Sequence, residues 1–340
     1  MVSRMTPRMT SRITPRMTPL LTSSHMLARR GFHLAIPAGP HTTTTRSVAL
    51  QEMTLDLHAQ GEADGEEGAT LALVMPNDWR DVPHSRDDPP FWVLPWPSGS
   101  AMAAMLLKQP ELVMGKQVLD LGCGLAPAGI AAARAGASAV VLADRDECAL
   151  QCALYGAEAN GVDSICSTAL VDWQDPELDP SLAGAFDVVL ACDCFYDDRS
   201  VALVSRVLVQ LLRPGGSLLV GLPIDSEYRR ASQASHQAAT SSLRSLTSSG
   251  SFDMLGVEES RGAQLPGMGP EGLAPSKRVA LARLQLRDPL VARGHTGHDE
   301  TRGDGEPQTS KAAGQGESSP LVARIKSMIS GLLDDRAPPR

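Results

Sequence analysis

Asp120, Gly122 and Gly124 fall at alternate positions in Val118-Leu119-Asp120-Leu121-Gly122-Cys123-Gly124, directly after an apolar run. Glycine at 122 and 124 lets the backbone turn tightly and lets a ligand approach with no Cβ in the way. Pro127 follows where a first helical turn would begin, and its missing N–H does no harm there. Asp144 closes a second apolar run, Ala139-Val140-Val141-Leu142-Ala143-Asp144. A carboxylate at that place can take both hydroxyls of a ribose. The pattern is not a dinucleotide fingerprint. The third glycine of G-x-G-x-x-G would fall at 127, which is proline, so a pyrophosphate has no clear cradle. A P-loop is absent. A carboxylate at 120 would repel a pyrophosphate and attract an ammonium, such as that of a methionine moiety.

Three more groups carry chemistry. Upstream, acids and prolines lead through Phe91, Trp92 and Trp96 into Pro97-Ser98-Gly99. Downstream stand Asp172-Trp173 and Asp193-Cys194-Phe195-Tyr196. An acid-x-Gly-x-Gly loop with an acid closing the next apolar run resembles the fingerprint of seven-strand, S-adenosylmethionine-dependent methyltransferases. The Arg213-Pro214-Gly215-Gly216 turn is similar to that family too. Ala126 stands where a third glycine is usual. With the tryptophan-rich approach, Val171-Asp172-Trp173 and Asp193-x-x-Tyr196, the chain resembles the lysine methyltransferase family over about residues 85–225.

That resemblance implies a doubly wound, mostly parallel seven-stranded sheet with an antiparallel final strand. It implies S-adenosylmethionine as cofactor. Trp96 and Ser98 would lie beside it, Asp120, Gly122 and Gly124 around its methionine part, and Asp144 on its ribose. Asp172 and Trp173 would meet its adenine by hydrogen bond and stacking. Asp193 and Tyr196 would face the methyl-transfer channel as catalytic residues, with Phe195 and Tyr196 flanking the amine. Asp193 orients that amine as positive charge develops on it. The Asp193-Cys194-Phe195-Tyr196 motif lacks the paired prolines of methyltransferases acting on base amino groups, so a lysine-bearing protein is expected as acceptor and a nucleic acid is not. The alternatives are another acceptor (arginine, histidine or a small amine) and a cofactor-binding module without catalysis. A nicotinamide enzyme ranks third.

The elements that must hold these residues follow from the apolar pattern. Runs at 117–122, 139–144, 167–173, 186–193 and 217–223 alternate with helical stretches at 126–136, 147–161 and 201–213. Strand and helix in alternation predict a parallel α/β sheet. A helix is expected over 226–248. Two late runs, 252–260 and 278–286, have no helix between them and read as an antiparallel pair at a sheet edge. Ahead of the sheet, 47–58 and 69–75 predict a β-hairpin.

Charge divides the chain differently. The 340 residues carry a net charge of −8. The first 51 hold seven Arg and no acid, so the rest carries 24 basic against 39 acidic residues, a net of −15. An Arg-, Ser- and Thr-rich start without acids is the composition of an organellar transit peptide, mitochondrial (matrix) ahead of chloroplast. Arg29-Arg30-Gly31-Phe32 resembles a processing site, with cleavage after Phe32. The acidic body argues against nucleic acid, since phosphate contacts need a basic surface. No apolar run reaches the roughly 18 residues that span a bilayer. The six cysteines include no C-x-x-C pair, so no metal site is expected and the pattern is not a disulfide framework. The expected divisions are a disordered transit peptide at 1–46, the hairpin extension at 47–84, the methyltransferase domain at 85–287, and a disordered tail with a terminal amphipathic helix at 288–340. A monomer is expected.

Overall fold

The computed structural model describes residues 32–37, 45–57, 69–84, 90–175, 177–195, 198–223, 246–247, 251–263 and 276–287. Tyr196, most of the expected 226–248 helix, the leader ahead of Phe32 and the tail after 287 lie outside them.

Seven strands form the main sheet: β4 (Gln117–Leu121), β5 (Ala139–Asp144), β6 (Cys166–Leu170), β7 (Phe186–Cys192), β8 (Leu212–Pro223), β9 (Phe252–Ala263) and β10 (Ser276–Leu286). Their order is β6-β5-β4-β7-β8-β10-β9. The first five run parallel, and β10 is antiparallel to both β8 and β9. The expected class is therefore found: α/β, doubly wound, with an antiparallel end. Strand order reverses between β4 and β7, and such a switch point opens a crevice at the carboxyl ends of the strands.

Each central strand is buried on both faces, which explains its nearly unbroken apolar run. The period of two still sorts the residues. Val118, Val140, Leu142, Val188 and Leu190 join one core cluster, and Leu119, Leu121, Val141, Ala143, Val189 and Ala191 join the other. Helices α1 (Pro97–Lys108), α2 (Pro127–Arg134) and α3 (Glu147–Ala159) contribute to the first cluster, and α4 (Asp198–Leu211) to the second. Small residues let α2 lie close on the sheet: a Cβ on Gly129 would come within 2.4 Å of a Leu142 methyl.

Three differences from the sequence reading have local causes. The expected hairpin is a three-stranded antiparallel sheet, β1 (His33–Pro37), β2 (Thr45–Asp56) and β3 (Thr70–Pro76). Strand β1 lies within the segment assigned to the transit peptide. Its alternation is only two apolar positions long, Leu34 and Ile36, yet both are fully buried. Phe32 belongs to the extension: its ring packs 5.1 Å from that of Tyr155 on α3 and its carbonyl accepts the Leu50 N–H. The Arg213–Gly216 turn is absorbed into β8. Pairing jumps from Phe186–Leu212 to Val188–Ser217, and Gly215 bends the strand at φ +74°.

The extension is pinned to the body by Asn160. Its amide accepts the Ala72 N–H at 3.2 Å and donates to the Ala72 carbonyl at 2.7 Å.

Candidate active site

The carboxyl end of β4 delivers Asp120 and the glycine loop. Gly122, Gly124 and Ala126 all sit at positive φ, +65°, +52° and +57°. Ala126 is the residue before α2 and offers that helix no side-chain cap. Asp120 supplies one from the strand: its Oδ2 accepts the Gly129 N–H at 2.8 Å. The carboxyl group is 2% exposed. Burial pushes its pKa up to about 7, the Gly129 bond pulls the other way, and the Asp144 charge adds to the rise.

Asp144 ends β5 and folds back on the loop. Its Oδ2 accepts the Gly124 N–H at 2.9 Å and its Oδ1 accepts the Asp146 N–H at 3.1 Å. Burial raises its pKa as well. Asp146, which the sequence reading passed over, caps α3 by accepting the Cys148 N–H at 2.8 Å. Its other oxygen accepts the Trp92 indole N–H at 2.8 Å. The signal for it was present: an acid just before Glu147 is a helix N-cap pattern.

The fourth wall comes from α1 and β7. Asp193 follows β7 with φ +55°. Its N–H donates to the Gly221 carbonyl at 3.1 Å. Its Oδ2 accepts the Ser98 N–H at 3.1 Å, and its Oδ1 accepts the Ser98 hydroxyl at 2.8 Å. Ser98 is fully buried in the first turn of α1. Asp193 thus caps the first turn of α1, 95 residues earlier in the chain. Among the predicted residues, Ser98 and Asp193 meet each other, and Asp120, Gly122, Gly124 and Asp144 form one connected group.

The remaining assignments are placed as follows. Trp173 lies over the glycine loop, where a Cβ on Gly122 would be 3.0 Å from its ring. Asp172 is exposed and accepts the Gln174 N–H at 2.9 Å, turning the chain after β6. Trp96 is half-buried, and its indole N–H donates to the Phe91 carbonyl at 2.9 Å. Tyr196 is outside the described residues. Phe195 needs correction: at 2% exposure it belongs to the core and does not flank a channel.

Three thiols ring the loop. The Cys194 S–H donates to the Leu121 carbonyl at 3.0 Å. Burial drives the pKa of Cys123, Cys192 and Cys194 well up, helped by the Asp144 charge at Cys123 and the Asp120 charge at the other two, so they are protonated packing groups and not nucleophiles. All six cysteines are free, and no metal-ligating cluster occurs among the described residues.

The arrangement suits a ligand with a positive centre and an adenosine. Three carboxylates, Asp120, Asp144 and Asp193, stand at the ends of three adjacent strands, around a loop that carries no side chain at 122 or 124.

Known proteins give the same direction. The family profile described as lysine methyltransferase matches residues 94–236. The electron transfer flavoprotein beta subunit lysine methyltransferase of Xenopus laevis is 33% identical over 197 residues, which cover 56% of this chain and 75% of that protein. The Danio rerio protein of the same name is 36% identical over 122 residues, covering 35% of this chain and 45% of that one. The calmodulin-lysine N-methyltransferase of Arabidopsis thaliana is 31% identical over 126 residues, covering 36% and 41%. The match thus spans three quarters of the frog relative and less than half of the other two.

Proposed function

The chain belongs to the lysine methyltransferase family, and on that premise we propose that it moves a methyl group from S-adenosylmethionine to the ε-amine of a lysine on a mitochondrial protein, the β subunit of the electron transfer flavoprotein being the foremost acceptor. The observation that carries this reading is the position of Asp193. It is clamped at the end of β7 by Ser98 and Gly221, one strand away from the glycine loop at the end of β4.

The residues fit the cofactor. The left-handed turn at Gly122 and Gly124 would curve the loop around its methionine part, Asp120 would provide a buried negative charge for its ammonium, and Asp144 would turn from the Gly124 and Asp146 N–H groups to its ribose hydroxyls. Trp173 and Asp172 would hold the adenine, and Trp96 and Ser98 would close the side toward α1. The cofactor supplies an electrophilic methyl group on a sulfonium, ready for in-line displacement.

The protein must present an unprotonated amine in line and keep water out. A lysine amine has a pKa of about 10.4 in water, and transfer into an apolar channel lowers it. Each oxygen of Asp193 already accepts one hydrogen bond from Ser98. That fixes the carboxylate's direction. Asp193 therefore orients the amine and balances the charge that grows on nitrogen as the C–N bond forms. The lysine proton leaves to solvent before attack, and Tyr196 is the second residue to which the reading gives a catalytic role.

The basic leader gives the mitochondrial address. Because Phe32 is used by the fold, processing ahead of it, and not after it, leaves the extension intact. The acidic body attracts a lysine-bearing protein surface. Transfer of label from methyl-labelled S-adenosylmethionine into a mitochondrial extract tests the proposal. A labelled flavoprotein β subunit supports it. A different labelled protein overturns the acceptor, and label in nucleic acid alone overturns the class.

Asp120 makes cofactor binding depend on pH. Its pKa of about 7 in the folded chain lies above the unfolded carboxyl value of about 3.9. Folding therefore takes up a proton between those values, and the unliganded protein loses stability as pH rises from about 4 to about 7. A bound ammonium favours the ionised form, so binding releases a proton near neutrality. Affinity for S-adenosylmethionine should fall by up to about tenfold per pH unit below 7 and level off above it. Titration calorimetry in two buffers of different ionisation enthalpy measures the released proton. An affinity flat from pH 5.5 to 8 would show that Asp120 takes no part.

A further inference from the structure

The segment from Pro90 to Ser98 is a strap with both of its ends tied down. At one end the Trp92 backbone lies against Gly124, where a Cβ would be 3.3 Å from the Trp92 carbonyl oxygen, and the Trp92 indole holds Asp146. At the other end Ser98 holds Asp193. The strap therefore runs from the cofactor loop to the carboxylate that orients the amine.

Two aromatic rings stand on its outer side. Phe91 is 58% exposed, and Trp96 is half-buried. Their rings meet edge to face with centroids 6.3 Å apart. The indole N–H is already satisfied by the Phe91 carbonyl, so no polar group of Trp96 looks for a partner. This bond also fixes the two rings relative to each other. Phe91 contributes little to the core, yet it is held in a short helical turn between two buried neighbours, Pro90 and Trp92. The core gains nothing from such a ring at the rim, but an incoming side chain would.

We infer that Phe91, backed by Trp96, is an acceptor-binding residue that grips the target lysine as it enters. The lysine stem is apolar and its head is cationic. An aromatic face suits both, by contact with the methylene groups and by attraction of the ammonium to the ring. The same rings lose their hold on the cation once the amine is deprotonated and passed toward Asp193, so they act on capture and not on the displacement. Phe195, the aromatic that the sequence offered for this task, is sealed in the core and cannot serve. The inference rests on the lysine methyltransferase reading and adds the surface that selects the acceptor.

Steady-state kinetics on the full chain with the flavoprotein β subunit test it. Phe91→Ala should raise the acceptor KM by about tenfold, with kcat and the Kd for S-adenosylmethionine each within about twofold of wild type. Phe91→Tyr should restore KM, and Phe91→Leu should restore it only in part, because leucine keeps the apolar contact without the ring. Melting curves check that each variant is folded, which the exposure of Phe91 favours. Wild-type turnover with a KM unmoved by Phe91→Ala overturns the inference alone. So does a loss confined to cofactor affinity. A wild-type chain that transfers no methyl group to any protein overturns the function and the inference together.

Discussion

Asp193→Asn lowers turnover by about 10²- to 10⁴-fold, the range set by removal of a group that acts at the transferring atom, while the Kd for S-adenosylmethionine stays within about threefold. The asparagine variant separates chemistry from structure. Asn tolerates the left-handed backbone that Asp193 adopts at φ +55°, and its carbonyl oxygen can still accept the Ser98 N–H. The negative charge is lost, and the Ser98 hydroxyl changes from donor to acceptor against the new amide NH2. Alanine is the poorer test. A Cβ-bearing residue without a polar side chain at that φ costs about 1 kcal/mol, and the buried Ser98 hydroxyl would lose its acceptor. Single-turnover kinetics with calorimetry on the same samples read both quantities. Parallel loss of turnover and cofactor affinity in Asp193→Asn would make Asp193 a strut between α1 and β7.

The second large effect is expected at the glycine loop. Gly122→Ala should lose stability through its backbone and, by crowding the site, weaken cofactor binding by about 100-fold. The left-handed backbone at φ +65° disfavours any Cβ by about 1–2 kcal/mol. The added carbon would also stand 3.0 Å from the Trp173 ring and 3.1 Å from the Cys194 sulfur, where overpacking typically costs about 1–3 kcal/mol. Relief comes by moving Trp173, the ring assigned to the adenine. Gly161→Ala is the matched control. Its φ of +69° is similar, but nothing lies within 4 Å of the new Cβ. It should lose stability and leave cofactor affinity unchanged. Calorimetry with S-adenosylmethionine distinguishes the two, and equal affinity in both variants would remove the loop from the cofactor site.

What the chain discloses in one dimension is whatever rests on local period or local backbone need. The buried parallel strands announce themselves as unbroken apolar runs, and the glycines at 122 and 124 mark a turn that the structure makes with positive φ. The Ala-rich α2 and the Pro127 start were legible for the same reason. The strand order was not. No spacing within β4 says that β5 and β7 lie on either side of it.

The site shows the same division. That Asp120, Asp144 and Asp193 stand at or near the ends of strands was readable from the apolar runs they close. What each one bonds was not, because the partners come from tertiary packing. Asp120 reaches Gly129 across the loop, and Asp193 reaches Ser98 across 95 positions. Phe195 failed for a different reason. The chain leaves β7 in irregular backbone, so no period of two or 3.6 assigns inside and outside, and Cys194 and Phe195 are both buried in succession. Phe91 was named in the tryptophan-rich approach and given no role of its own, because adjacent aromatics do not say which one faces the core. Only the fold shows that Trp92 turns in and Phe91 turns out.

The central claim is that this crevice transfers a methyl group to a protein lysine. It is tested most directly by tandem mass spectrometry of purified flavoprotein β subunit after incubation with the full chain and S-adenosylmethionine. The account predicts a methyl group on a lysine ε-amine with wild-type protein, and its absence with Asp193→Asn. Methylation confined to arginine, histidine or a small amine, or equal lysine methylation by wild type and Asp193→Asn, would contradict it.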